Sequence, residues 1–118
     1  MISSSGGAVS TARDMMTFMK AFVDHTLFRA ETFQQLETYR SVPGMGPINY
    51  GGGHMQIPLR TLNTLFMGRG AFIGHTGSTG SFAFYYPDKD RFFVGDLNQL
   101  ADPSLPIRLV MQLAMSIM

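Results

Sequence analysis

Cysteine is absent from the 118 residues, which excludes a disulfide framework, thiolate ligation of a metal and a cysteine nucleophile. Charge is scarce: Asp, Glu, Lys and Arg make up 14% of the chain, against about 25% in an ordinary soluble domain. Nine basic and eight acidic residues leave a net charge of +1. The basic residues stand singly, so the clustered positive charge of a nucleic-acid or anionic-membrane surface is missing. No apolar run approaches the ~20 residues a membrane-spanning helix needs. The stretch Met1 to Gly7 has no basic segment leading into an apolar one, so no signal peptide is legible. These exclusions leave the expectation of a soluble globular chain, and its length predicts a single domain over 1–118.

What is present in quantity is apolar material. Hydrophobic residues are 45% of the chain and methionine alone occurs ten times, for a mean hydropathy of +0.08. A small chain has a high ratio of surface to volume and should carry more charge than average, not less. Two readings follow: part of the surface is hidden in a homo-oligomer, or the chain is a piece of a larger protein.

Thr11-Ala12-Arg13-Asp14 reads as a helix start, with the Thr11 hydroxyl as cap. Met15, Phe18, Met19 and Phe22 then recur at helical spacing on one face, and Arg13, Thr17, Lys20 and Asp24 fall on the other, which predicts a helix over 11–24. A second helix is expected over 29–39, with Phe33 and Leu36 inward and Val42-Pro43-Gly44 closing it. Residues 50–58 read as one glycine-rich strand closed by Pro58. Residues 59–70, with Leu59, Leu62, Leu65 and Phe66, fit either a short helix or a loop over apolar surface.

Strands are predicted at 71–75 and 81–86, a turn at 87–90 and a hairpin partner at 91–97. Asp102-Pro103 or Leu105-Pro106 opens a last helix. Its stripe of Ile107, Val110, Met111, Ala114, Ile117 and Met118 is widened by Leu109 and Leu113, so it is expected to be covered on more than one side. The fold class is therefore α+β, an antiparallel sheet of three to four strands with helices packed on it.

Chemistry concentrates in Gly74-His75-Thr76-Gly77-Ser78-Thr79-Gly80-Ser81. The glycines let a backbone approach a ligand closely, His75 supplies an imidazole, and the amides after Gly77 can form an anion pocket. The plainer alternative is a glycine-rich turn between strands with an ordinary surface histidine. Metal binding is not expected, since His25, His54 and His75 show no ligand spacing. No other cofactor is implied. His54 reads as a hydrogen-bonded histidine of the sheet, and the methionines of the first helix read as core. Ser78 and Ser81 stand too near His75 along an extended strand to be aimed at its ring, so a self-contained Ser-His-Asp triad is not expected.

Four segments, in order, resemble the serine hydrolases of the β-lactamase and penicillin-binding-protein superfamily, nearest its class C-like branch with esterases and D-aminopeptidase-like enzymes. Gly6-Gly7-Ala8-Val9-Ser10-Thr11-Ala12-Arg13-Asp14 resembles the glycine-glycine segment leading into a helix. Tyr50-Gly51-Gly52-Gly53 is similar to the Tyr-Gly-x-Gly strand, and Gly74 to Gly80 to the Lys/His-Thr-Gly motif. Tyr86-Pro87-Asp88-Lys89-Asp90 through Val94 to Asn98 resembles the hairpin that follows.

The resemblance implies a partial β-lactamase/transpeptidase-like fold and gives each motif residue a role. His75 stands in for the motif lysine, Thr76 lines the pocket, Gly77 allows close approach and the Ser78 amide is the second oxyanion-hole donor. The family's Ser-x-x-Lys nucleophile and Tyr-x-Asn motifs do not occur in these residues; Thr17-Phe18-Met19-Lys20 has the spacing, but with threonine and in the wrong place. The chain thus looks like the C-terminal portion of such an enzyme, inactive by itself. The complete enzyme would take a small ester, amide or lactam substrate, and histidine for lysine points away from lactams. The family is often periplasmic or secreted. The alternative is a small non-catalytic binding or structural domain reusing this half-fold.

Overall fold

The computed structural model describes residues 6–59 and 70–117. Helix α1 spans Ala12–Val23, and the Thr11 hydroxyl, on extended backbone, accepts the Asp14 amide at 3.1 Å. That bond satisfies one of the amides a helix start leaves free. Met19 is buried and Met15 and Phe22 are half-buried, but Phe18, expected inward, stands 50% exposed. A helix lying on a sheet buries a narrow stripe; Phe18 falls beside it and stacks on Phe22 at a centroid distance of 6.4 Å.

Helix α2 is Ala30–Leu36, shorter than the predicted 29–39, with Phe33 buried. It stops because the backbone beyond it has other partners. The Glu37 amide closes on Phe33 and Gln34, and the Leu36 carbonyl accepts the Gly52 amide at 2.9 Å. Arg40–Ser41 then forms β1, so Val42-Pro43-Gly44 lies in the β1–β2 loop and does not end the helix.

The predicted strand 50–58 is two strands. Asn49–Tyr50 is β2 and Met55–Pro58 is β3, joined by a tight turn. In that turn the Gly51 amide donates to the His54 carbonyl at 2.9 Å, and Gly53 has φ +78°, which favours glycine. Strands β4 (Ala71–Thr76), β5 (Ser81–Tyr86) and β6 (Arg91–Asp96) follow, with a 3₁₀ turn at Pro87–Lys89 where the turn was expected. The sheet therefore has six antiparallel strands in chain order, not three to four. The undercount comes from β1 and β2, whose two residues each are too few to show a periodicity. Of the ambiguous stretch, Leu59 is fully buried and donates its amide to Gly70, while Leu62, Leu65 and Phe66 lie outside the described residues.

Alternation along the strands sorts side chains into two layers. Met55, Ile57, Phe72, Phe82, Phe84 and Tyr86 form the core with Val110 and Ala114 of helix α3, Leu105–Ser116. The opposite face carries Ile73, His75, Ala83, Tyr85 and Val94 toward α1 and α2: Ile73 and Tyr85 border a groove with Val23 and Phe33. The sheet is thus sandwiched between helices. Leu105-Pro106 opens α3, the second of the two expected starts. Leu113, Met115 and Ile117 are exposed by 41–48%, so among the described residues α3 is covered on one side only.

Candidate functional site

Strand β4 carries the candidate motif to its C-terminal end. Its last registered pair with β3 is Met55↔Gly74, so His75 and Thr76 run on past β3 while still pairing with Ala83 and Phe82 of β5. Gly74 has φ +154°, and a Cβ there would lie 2.0 Å from the Ala83 carbonyl oxygen. Only glycine lets β4 lie this close to β5 immediately before His75.

The next four residues form the β4–β5 turn. The Gly77 amide donates to the Ser81 carbonyl at 2.8 Å and the Gly80 amide to the Gly77 carbonyl at 3.1 Å. From outside, the Leu97 amide donates to Gly80 and the Gln99 amide to Thr79. Gln99 is itself held by the Asp102 backbone through both ends of its side-chain amide. Bonds to Ser104 and the ion pair with Arg108 keep the Asp102 carboxyl below its usual range. Within this braced turn the Ser78 amide has no hydrogen-bond partner among the described residues, and Ser78 is exposed.

His75 has both ring nitrogens occupied. Nδ1 faces the Thr76 carbonyl, and Nε2 lies 2.9 Å from the Tyr50 hydroxyl. A carbonyl only accepts, so Nδ1 carries the ring proton and Nε2 accepts from Tyr50. The Tyr50 ring meets the imidazole edge-on, centroids 5.5 Å apart. No serine hydroxyl among the described residues bonds to His75. The Ser81 Oγ instead lies 2.2 Å from where a Gly77 Cβ would stand. Thr17 donates its hydroxyl to the Arg13 carbonyl at 3.1 Å, within its own helix.

A cleft of about 630 Å³ lies between this strand end and the segment leading into α1. His75, Thr76, Gly77 and Thr79 border it on one side, Val9, Thr11 and Met15 on the other, with Ala83, Val94 and Gly95 between. The structure therefore brings His75, Thr76 and Gly77 together on the cleft and leaves Ser78 just outside its lining.

His54 repeats the His75 arrangement in a buried setting, in the β2–β3 turn and not within a strand. Nδ1 lies 3.1 Å from the Gly52 carbonyl and Nε2 2.7 Å from the Tyr39 hydroxyl, with the Phe22 and Phe33 rings packed around it. This is a structural histidine with its hydrogen bonds met. Burial, aided by the Glu37 charge, pushes the Tyr39 hydroxyl up to about 12.

Tyr39→Phe should remove the donor to a buried nitrogen and cost about 1–3 kcal/mol at neutral pH. Because the folded-state value lies above the unfolded one near 10, the stabilisation from the neutral phenol is complete below about pH 10 and is lost towards about pH 12. Urea denaturation at pH 7 and across that window checks both statements: the variant starts lower and loses less on going alkaline. Tyr85 and Tyr86, also shifted upward by burial, keep part of the alkaline loss.

The sequence reading missed Tyr50 and Tyr39 as the partners of the two histidines. No local signal pointed to either pairing, since nothing in the spacing pairs residues 25 apart such as Tyr50 and His75. Among the described residues no group of three or more histidines and carboxylates is placed to hold a metal ion.

Comparison with known proteins adds one finding. The family model described as Beta-lactamase matches residues 3–111. No curated protein matches the chain.

Proposed function

On the premise that the chain belongs to the beta-lactamase family, whose model covers nearly all of it, we propose that it supplies the third-motif side of a serine-hydrolase site. His75 takes the place of the motif lysine, Thr76 lines the substrate pocket, Gly77 admits close approach, and the Ser78 amide is an oxyanion donor. One observation carries this reading: the Ser78 amide, without a hydrogen-bond partner among the described residues, lies in the turn that directly follows His75, Thr76 and Gly77 on the cleft. An amide held by a braced turn and left unbonded is what stabilising a developing oxyanion requires.

The nucleophile is not among these residues, since no Ser-x-x-Lys occurs in the sequence. The chain is read as one domain, the C-terminal portion of a longer hydrolase of small esters, amides or lactams. Histidine in the lysine position favours ester or peptide substrates over lactams. Intact-mass measurement of the protein in its source cells tests this. A product longer than 13.0 kDa that carries Ser-x-x-Lys supports it; a native product of this size overturns it in favour of a stand-alone binding domain.

Purified as these 118 residues, the protein should release no chromophore from a chromogenic ester or cephalosporin above the buffer rate. An oxyanion donor with no activated nucleophile has nothing to stabilise. A burst of acylation lost on Ser78→Ala or Ser81→Ala would reveal a nucleophile and refute this.

The same reading includes self-association of the isolated chain. Among the described residues strand β6 is a six-residue sheet edge with charges only at Arg91 and Asp96, and Leu113, Met115 and Ile117 are exposed on and just after α3. An unpaired edge and exposed apolar side chains both recruit a second copy. Light scattering across a dilution series should show a mass above 13.0 kDa; a monomer mass at every concentration would remove this part of the proposal.

A further inference from the structure

The geometry points to Tyr50 as the positioning residue of His75, holding its imidazole in the Nδ1–H form with Nε2 as the basic nitrogen. This rests on His75 being the third-motif histidine proposed above. Three observations support it. The Thr76 carbonyl at Nδ1 can only accept, so that nitrogen holds a proton for as long as the ring keeps this pose. The Tyr50 hydroxyl lies 2.9 Å from Nε2 and is able both to donate and to accept. The Tyr50 ring stands at 88° to the imidazole, 5.5 Å away, and limits its rotation.

The consequence is specific. With the ring neutral, Tyr50 donates to Nε2; when Nε2 takes up a proton, the hydroxyl rotates and accepts from it. Both ring nitrogens stay bonded in both states, so His75 exchanges a proton at Nε2 without leaving its pose at the cleft. A histidine facing solvent at the end of a strand would otherwise sample several rotamers and both neutral forms. The placement is a product of topology. Because β3 ends at Met55↔Gly74, the side of His75 that a longer β3 would cover is open, and Tyr50, at the end of β2, reaches it there.

The test is ¹⁵N correlation spectroscopy of the histidine rings at alkaline pH, where an imidazole is neutral. In the unaltered chain, His75 should read as protonated at Nδ1 and unprotonated at Nε2. In Tyr50→Phe, the Nε2–H form should gain population and the two nitrogen shifts should move toward one another or exchange places. Tyr39→Phe should leave the His75 signals in place while moving those of His54. An Nε2–H form in the unaltered chain overturns the inference without any variant being needed. So does a Tyr50→Phe spectrum with unchanged His75 shifts, or a Tyr39→Phe variant that disturbs His75 as much as Tyr50→Phe does. The readout needs no turnover, so it separates the two claims. Loss of the Nδ1–H form removes the positioning role alone, and a native product of only these residues removes the hydrolase reading alone.

Discussion

Replacing Gly74 with alanine is expected to cost about 3–5 kcal/mol, combining a backbone region almost closed to other residues with overpacking against a neighbouring strand. The added methyl would lie 2.0 Å from the Ala83 carbonyl oxygen and 2.8 Å from the Phe84 Cα, both backbone atoms that cannot swing aside as a side-chain tip can. The φ of +154° adds strain whatever room is made. Relief has to come from β4 and β5 moving apart, in the middle of a six-stranded sheet and one residue from His75. A domain this size has about 5–15 kcal/mol in total, so the variant should lose a large part of its stability. Urea denaturation checks it: a midpoint within experimental error of the parent would show that the strands separate at little cost.

Phe72→Ala should be of similar size, about 3–5 kcal/mol. Phe72 is fully buried, and its ring meets Phe84, Tyr86 and Phe93 at centroid distances of 6.4, 5.1 and 6.0 Å. Truncation leaves a cavity ringed by aromatic side chains that belong to, or pack against, one buried cluster, so the site collapses poorly. Phe72→Leu should recover most of the loss, because it refills the volume. Thermal unfolding of the pair decides it; equal melting points for the alanine and leucine variants would mean that ring volume is not what this position supplies. Both changes act on β4, and both should broaden the His75 and Thr76 signals.

The match over residues 3–111 places the chain in a family of hydrolases, yet the chemistry proposed for it lies in a few groups at one strand end. Of the four motif positions, His75, Thr76 and Gly77 border the cleft, while Ser78, whose amide has no partner among the described residues, is proposed to act through that amide and not by lining the pocket. The division is physically sensible. A side chain that binds substrate must face the cavity, whereas an oxyanion donor needs only a fixed N–H whose hydrogen bond is left for the ligand.

Local signals were sufficient wherever an element is made by neighbours in the chain. The cap at Thr11 and the apolar spacing after it placed α1 to within one residue at each end, because capping and helical periodicity act over three or four positions. The runs 71–75, 81–86 and 91–97 foretold β4, β5 and β6, since aromatic and β-branched stretches broken by Gly or Pro-Asp have few other uses. The glycine-rich segment around His75 drew attention to the right strand end.

Tertiary structure decided what depends on distant partners. It divided 50–58 into two strands, because the Gly51–His54 turn and the pairings Arg40↔Tyr50 and Met55↔Gly74 act across the fold. It left Phe18 outside, because the angle at which α1 meets the sheet selects among residues that the helical period treats alike. It gave His75 and His54 each a tyrosine partner, at separations of 25 and 15 residues. By itself the sequence determined the helices, the central strands and the segment where chemistry concentrates, through interactions within one turn or one hairpin. Which nitrogen of His75 carries the proton, and how the turn after it is braced, are set by hydrogen bonds between segments that meet only when the sheet has formed.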